Sequence, residues 1–186
     1  YDQELSLTHE PDEQVEIHGQ IASVLEDQLD QPHEAAESYN DILMADPDNT
    51  TAMQNLERLY GQLEQWFDLV EVLRNHIDVV EETDRKVELL NELARVQENQ
   101  LEEPYAAVEA YERSLDLDGE QPSVLFDLAE LHRQTGNWES AVESYERLVG
   151  LLEDPEDQID IHFTVAELLE QELGNDFDAE DHYQNA

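Results

Sequence analysis

The sequence predicts an all-α solenoid, a pile of short paired helices, and three observations carry that expectation. The chain matches itself at steps of 72 residues: Val15, Val87 and Ile159 fall in register, as do Ala22, Ala94 and Ala166, then Ala35, Ala107 and Ala179, then Tyr39, Tyr111 and Tyr183. A fixed internal period is the mark of stacked repeats, in which each unit buries its apolar stripe against the next. Apolar residues also recur at helical spacing almost throughout, with no alternating strand pattern in competition. Finally, short polar turns interrupt that spacing at regular places, and proline stands where several helices should begin.

Taken in order, the first unit reads as a helix from about Asp12 to Leu29, a turn at Asp30-Gln31, and a helix from Pro32 to about Ala45. Pro32 suits the first helical position, where its missing N–H costs nothing, and Pro104 takes the same place 72 residues later. Asp46-Pro47-Asp48-Asn49 closes the unit, with Thr50 or Thr51 expected to cap the next helix. The second unit spans about Thr50 to Gln62 and Gln65 to Glu81, and the third about Asp84 to Leu101 and Pro104 to Leu117. Pro122 opens the fourth, which turns at Gly136-Asn137 and resumes at Trp138; Asp154-Pro155 opens the fifth, which turns at Gly174-Asn175. The expected organisation is one array over 1–186, with units near 11–48, 49–82, 83–119, 120–154 and 155–186. The chain opens at Tyr1 without a leader-like segment and stops at Ala186 inside a helical pattern, which reads as a piece of a longer array.

Charge bounds the partners. Forty-nine acidic residues stand against 8 basic ones, a formal net of -41, and Lys86 is the one lysine. That field opposes non-specific binding to nucleic acid, whose phosphates need cationic neutralisation, and it repels anionic lipid surfaces. Basic proteins, basic peptides and divalent cations are attracted instead. The acidity has two readings: adaptation to a salty habitat, or recognition of a basic partner. Its spread over every unit favours adaptation. Under either reading like charges repel in the compact state, so the melting temperature is expected to rise between about 0.01 M and about 1 M salt as the Debye length shrinks. A flat or falling melting curve across that series is the opposing result.

The fourth unit, Leu125-x2-Leu128-Ala129-x2-His132 followed by Gly136-Asn137-Trp138-x2-Ala141-x3-Tyr145, resembles a tetratricopeptide repeat. That motif sets a large residue, leucine, a small residue and an aromatic in its first helix, then a small residue and an aromatic in its second. His132 stands at the first aromatic place, and Glu153 replaces the usual terminal proline. The third unit matches with Leu93, Ala94, Ala107 and Tyr111, and the first with Ile21, Ala22, Ala35 and Tyr39, both with one extra residue in the turn. The second diverges most, with Glu57 and Leu69 at the small positions. Small residues let paired helices approach, while Tyr111 or Trp138 should fill the groove beside them. On that basis Trp138→Ala is expected to cost about 3–5 kcal/mol through cavity formation.

The resemblance implies a right-handed superhelix whose first helices line a concave, partner-binding face, and no catalysis. By repeat position that face takes Glu16, Gly19, Ser23, Glu26 and Asp27 from the first unit, Thr51, Gln54, Arg58 and Gln62 from the second, and Glu88, Asn91, Arg95, Glu98 and Asn99 from the third. The fourth contributes Ser123, Phe126, Glu130, Arg133 and Gln134, and the fifth Asp160, Phe163, Glu167, Glu170 and Gln171. Arg58, Arg95 and Arg133 either form a row of guanidinium groups for a carboxylate or acidic peptide, or pair with neighbouring acids such as Glu98 and Glu130. Phe126 and Phe163 serve either as anchors for a partner or as inter-repeat packing. The asparagine and lysine pattern of the chaperone-tail carboxylate clamp is not reproduced.

Other chemistry is weakly signalled. Asp46-x-Asp48-x-Thr50 with Glu57 at the twelfth place echoes a calcium loop, but Thr51 replaces the needed glycine, and an inter-repeat turn is the expected reading. His33-Glu34-Ala35-Ala36-Glu37 lacks the second histidine of a helical zinc motif. His18 and His162 sit at equivalent repeat positions and read as half-buried packing residues. There is no cysteine, phosphate loop, GxSxG or dinucleotide fingerprint, so no cofactor or metal is expected. The leading function is therefore a non-catalytic scaffold for a protein or peptide partner. The alternative is a spacer or self-assembly segment with a salt-adapted surface, stacking on further repeats.

Overall fold

The computed structural model describes residues 11–186, and the first ten residues of the expected array lie outside them. The described residues form ten α-helices and no strand: α1 (Pro11–Asp27), α2 (Pro32–Ala45), α3 (Thr50–Gln62), α4 (Trp66–Val79), α5 (Thr83–Asn99), α6 (Pro104–Leu117), α7 (Pro122–Gln134), α8 (Trp138–Leu151), α9 (Pro155–Gln171) and α10 (Asp176–Asn185). The fold is an all-α solenoid of helix pairs. The expected helix bounds hold to within two residues, the usual scatter of frayed ends.

The helices group into two compact units that meet in sequence between Leu101 and Glu102, in the turn joining α5 to α6. In the first unit α1 packs on α2, α2 on α3, α3 on α4 and α4 on α5. In the second the same succession runs from α6 to α10. Contacts that link each helix to its neighbours along the chain are the pattern of a stack, not of one central core. Within the pairs, alanines make close approach possible: Ala22 and Ala35 in the first unit, and Ala129, Ala141 and Ala166 in the second, are 0% exposed.

Each turn inside a helix pair carries one residue in the left-handed region: Asp30 (φ 54°), Glu64 (55°), Glu102 (54°), Gly136 (76°) and Gly174 (63°). The bend lets backbone N–H groups beyond the helix reach back to its last carbonyls, as Gln65 N–H does to Tyr60 (2.9 Å) and Asn137 N–H to His132 (2.8 Å). Glycine adopts this conformation freely, whereas a Cβ there meets the following carbonyl and costs about 1 kcal/mol. Glu64→Gly is therefore expected to stabilise the chain by about 1 kcal/mol in urea titration. Glu64→Gln, which removes the charge and keeps the Cβ, should recover less than half of that gain; equal gains from both would assign the effect to charge.

Two local expectations are corrected. The N-cap of α3 is Asn49, not Thr50 or Thr51: its side-chain oxygen accepts the Ala52 N–H (2.9 Å) while its amide donates to Asp46 (2.9 Å). Both threonines already lie inside the helix, one and two residues too late to cap it. The groove-filling aromatics are Tyr111 and Tyr145, 0% and 1% exposed, whereas Trp138 is only half-buried. Trp138 is the first residue of α8 and lies by the turn, where a Cβ on Gly136 would sit 4.0 Å from its Cζ2. Its truncation therefore costs less than the full cavity penalty.

Candidate functional site

In the first unit, helical spacing puts Gln54 and Arg58 one turn apart on α3, and Asn91, Arg95 and Asn99 on one stripe of α5. Arg58 reaches from α3 to the Glu26 carboxylate on α1 at 2.7 Å, and also meets Asn55 at 3.4 Å. Arg95 is exposed, and the Asn99 amide donates to its backbone carbonyl at 3.1 Å. Asn91 is half-buried.

Behind this surface lies a polar cluster that the repeat pattern gave no means of foreseeing. Glu57, at a position where the repeat expects a small residue, is 8% exposed and hydrogen-bonds to His76 of α4, itself 1% exposed. Its other oxygen accepts from Arg85 of α5 at 3.2 Å, and Arg85 also holds Glu88 at 2.9 Å. Three successive helices are thus joined through one carboxylate. Burial, and then the nearby Glu57 charge, push the Glu92 carboxyl above its ordinary range, against the pull of Arg85, Arg95 and His76. An open groove of 450 Å³ runs past His76 and Arg85 between the start of α3, the end of α4 and the start of α5. The calcium echo resolves into these roles: Asp46 holds the capping Asn49, and Glu57 holds His76 and Arg85.

The second unit brings together the other predicted residues. Phe126 of α7 and Phe163 of α9 are 44% and 48% exposed. Each ring makes a T-shaped contact with a tyrosine of its own helix pair: Phe126 with Tyr145 of α8 (centroids 6.3 Å apart) and Phe163 with Tyr183 of α10 (5.8 Å). Their packing is thus within repeats, and each leaves about half its surface open. Each tyrosine hydroxyl in turn donates to a carboxylate on the phenylalanine's helix, Tyr145 to Glu130 and Tyr183 to Glu170, the latter at 2.9 Å. The result is the same three-residue constellation twice: a half-exposed phenyl ring, a tyrosine packed against it at a steep angle, and a carboxylate fixed by that tyrosine.

The two copies differ in charge. Arg133 donates to Glu130 at 2.5 Å, so both oxygens of Glu130 are engaged. Burial alone would raise the Glu130 carboxyl, but the bonds from Arg133 and Tyr145 hold it below its ordinary range. Around Phe163, exposed Asp160, Glu167 and Glu170 lie three, four and seven residues away on the same helical face. A cleft of 320 Å³ opens between the end of α7, the start of α8 and α9, lined by Arg133, Gln134, Trp138, Thr164, Glu167 and Gln171 among others.

At the end of the chain, His162 of α9 and His182 of α10 face each other through their Nδ1 atoms at 2.9 Å, and His182 Nε2 lies 3.4 Å from Glu146 of α8. Such a contact needs one imidazole N–H and one lone pair, so it breaks when both rings hold two protons. Burial, then the neighbouring His182, pushes His162 below its ordinary pKa. His132 is likewise pushed down by burial, against Glu112 and Glu143. A histidine depressed in the folded chain binds its proton preferentially after unfolding, so its stabilising contribution is present above the ordinary value of 6.5 and is lost as pH falls below it. Stability to urea is expected to drop between about pH 7 and about pH 5.5, and His162→Phe should lessen the drop. An unchanged slope in that variant would contradict the assignment.

Among the described residues no group of three or more His, Asp or Glu side chains is arranged to hold a metal, and no described helix is long and apolar enough to cross a membrane.

Comparison with known proteins agrees with the all-helical repeat fold. Residues 124–159 match the tetratricopeptide repeat family model. A crystal structure of MamA is 20% identical, with 93% of this chain and 90% of that chain covered and a TM-score of 0.60. YrrB, described as a TPR protein with an unusual peptide-binding site, is 17% identical over 90% of this chain and 82% of its own, with a TM-score of 0.58. PilF of Pseudomonas aeruginosa is 21% identical over 91% and 72%, with a TM-score of 0.52. No curated protein matches the sequence.

Proposed function

We propose that the chain, whose residues 124–159 match the tetratricopeptide repeat family model, is a non-catalytic scaffold holding an extended peptide, or a helix of another protein, along the surface of its first helices. The observation that carries the reading is the pair of phenyl rings, Phe126 and Phe163, kept half in solvent at matching places on α7 and α9; Thr164 and Glu167, next to Phe163 and one turn from it, line the 320 Å³ cleft. Aromatic rings set in a pocketed surface are the usual anchors of a protein partner. Arg133 is proposed to extend this contact within the second unit, and Arg58 and exposed Arg95 to offer guanidinium N–H groups to a ligand on the first unit. Gln54, Asn91 and Asn99 are proposed to hydrogen-bond the ligand backbone, as adaptable amides do.

Panning a random displayed peptide library tests this. A scaffold enriches sequences that bind the wild type and are lost on Phe126→Ala with Phe163→Ala. Charge reversal of Arg58, Arg95 and Arg133 to Glu tests the arginine contribution in the same assay. A spacer or self-assembly segment with an acidic, salt-adapted surface predicts no enrichment, and peptides indifferent to the phenylalanine substitutions would overturn the proposed surface.

A further inference from the structure

We infer that the surface of α7 and α9 selects a partner carrying a cationic side chain, seated on the exposed half of the Phe163 ring beside Glu167 and Glu170, with an apolar residue of the same partner on Phe126. This rests on the scaffold reading and adds the chemistry of its ligand.

The two constellations are built alike but poised differently. At Phe126 the adjacent carboxylate is spent: Arg133 and Tyr145 take both oxygens of Glu130. An incoming cation would also meet the exposed Arg133 guanidinium. That site offers a ring without free negative charge, which suits an apolar side chain. At Phe163 the Glu170 carboxylate is held by Tyr183 through one oxygen, and Glu167 and Asp160 stand exposed on the same helical face; Arg133 lines the adjoining cleft with Glu167 but is itself bonded to Glu130. A ring face attracts a cation through its quadrupole, and a fixed carboxylate at the rim adds a charge-assisted hydrogen bond. Because Tyr183 fixes Glu170 beforehand, the carboxylate loses little freedom when the ligand arrives. The acidity of the whole chain draws any cation toward it, but only a ring flanked by an oriented acid discriminates one position from another.

The test uses three fluorescently labelled octapeptides of alternating sequence, Arg/Leu, Ser/Leu and Glu/Leu, read by anisotropy at about 0.15 M salt. The Arg/Leu peptide is expected to bind the whole chain about tenfold tighter than Ser/Leu. Phe163→Ala, and separately Glu167→Gln with Glu170→Gln, should each remove that advantage. Glu139→Gln with Glu153→Gln removes the same charge from exposed positions elsewhere in the second unit and should change affinity less than about twofold. Helicity by circular dichroism confirms that each variant is folded, and the two carboxamide variants leave the packing intact. If the control pair weakens binding as much as the Glu167/Glu170 pair, the diffuse field explains the effect and the inference fails. If Ser/Leu binds as tightly as Arg/Leu and both need the phenylalanines, the scaffold reading stands and the cation preference fails. If none of the three binds at millimolar concentration, both are overturned.

Discussion

Replacing Glu57 by alanine, the residue type its repeat position favours, is expected to destabilise the chain by about 3 kcal/mol. The expectation follows from what the carboxylate holds. Glu57 and His76 are 8% and 1% exposed, so the imidazole left behind stays buried and loses the partner that compensates its desolvation. Removing one member of a buried pair costs more than the pair was worth, because the survivor keeps its desolvation penalty and loses its compensation. Arg85 suffers less, since its side chain is 34% exposed and it keeps Glu88. The second substitution decides the mechanism. Glu57→Ala with His76→Leu replaces the pair by apolar groups and should return most of the loss, giving a coupling of about 2 kcal/mol in a double-mutant cycle by urea denaturation. Additive losses would mean that Glu57 acts through packing alone.

Glu57 also marks where the sequence stopped being informative. The helices were legible because their causes are local and periodic: apolar spacing, Pro32 and Pro104 at helix starts, and glycines at two of the turns. The close-packing alanines were legible because they recur at steps of 72. Glu57 was visible as a departure from that pattern, but its partners were not, since His76 and Arg85 lie 19 and 28 residues away on other helices. In a chain with 49 acids, proximity of opposite charges in sequence singles out nothing. The same limit hid the contact of His162 with His182, which depends on the orientation of two side chains 20 residues apart. Repeat position put Phe126 and Phe163 at equivalent places in the fourth and fifth units, on α7 and α9. Their openness, and the tyrosine–carboxylate pair behind each, depend on how α8 and α10 fold back, which no spacing rule contains. Trp138 shows the converse error. Its match to the repeat motif suggested a groove filler, yet Trp138, the first residue of α8, is only half-buried.

Tyr145 takes the weight that the sequence assigned to Trp138, and its truncation is the second large effect expected. Tyr145 is 1% exposed, and Tyr145→Ala opens a ring-sized cavity that should cost about 3–5 kcal/mol. That corresponds to a fall of about 10 °C in melting temperature for a chain of this length. Tyr145→Phe separates packing from polarity. The hydroxyl bonds Glu130, whose side chain is 24% exposed and retains Arg133, so water and the guanidinium can replace the lost donor at a cost of about 1 kcal/mol. The damage of the alanine substitution should also travel. In a stack each helix is held by its chain neighbours, and α8 is what α7 and α9 share. Amide exchange is therefore expected to quicken in α7 and α9 as well as in α8 itself. Tyr145→Ala should also free the Phe126 ring and weaken any ligand seated on it, whereas Tyr145→Phe preserves the edge contact. Protection lost in α8 alone would mean that these pairs stand as separate hairpins, and the surface shared by α7 and α9 would lose its physical basis.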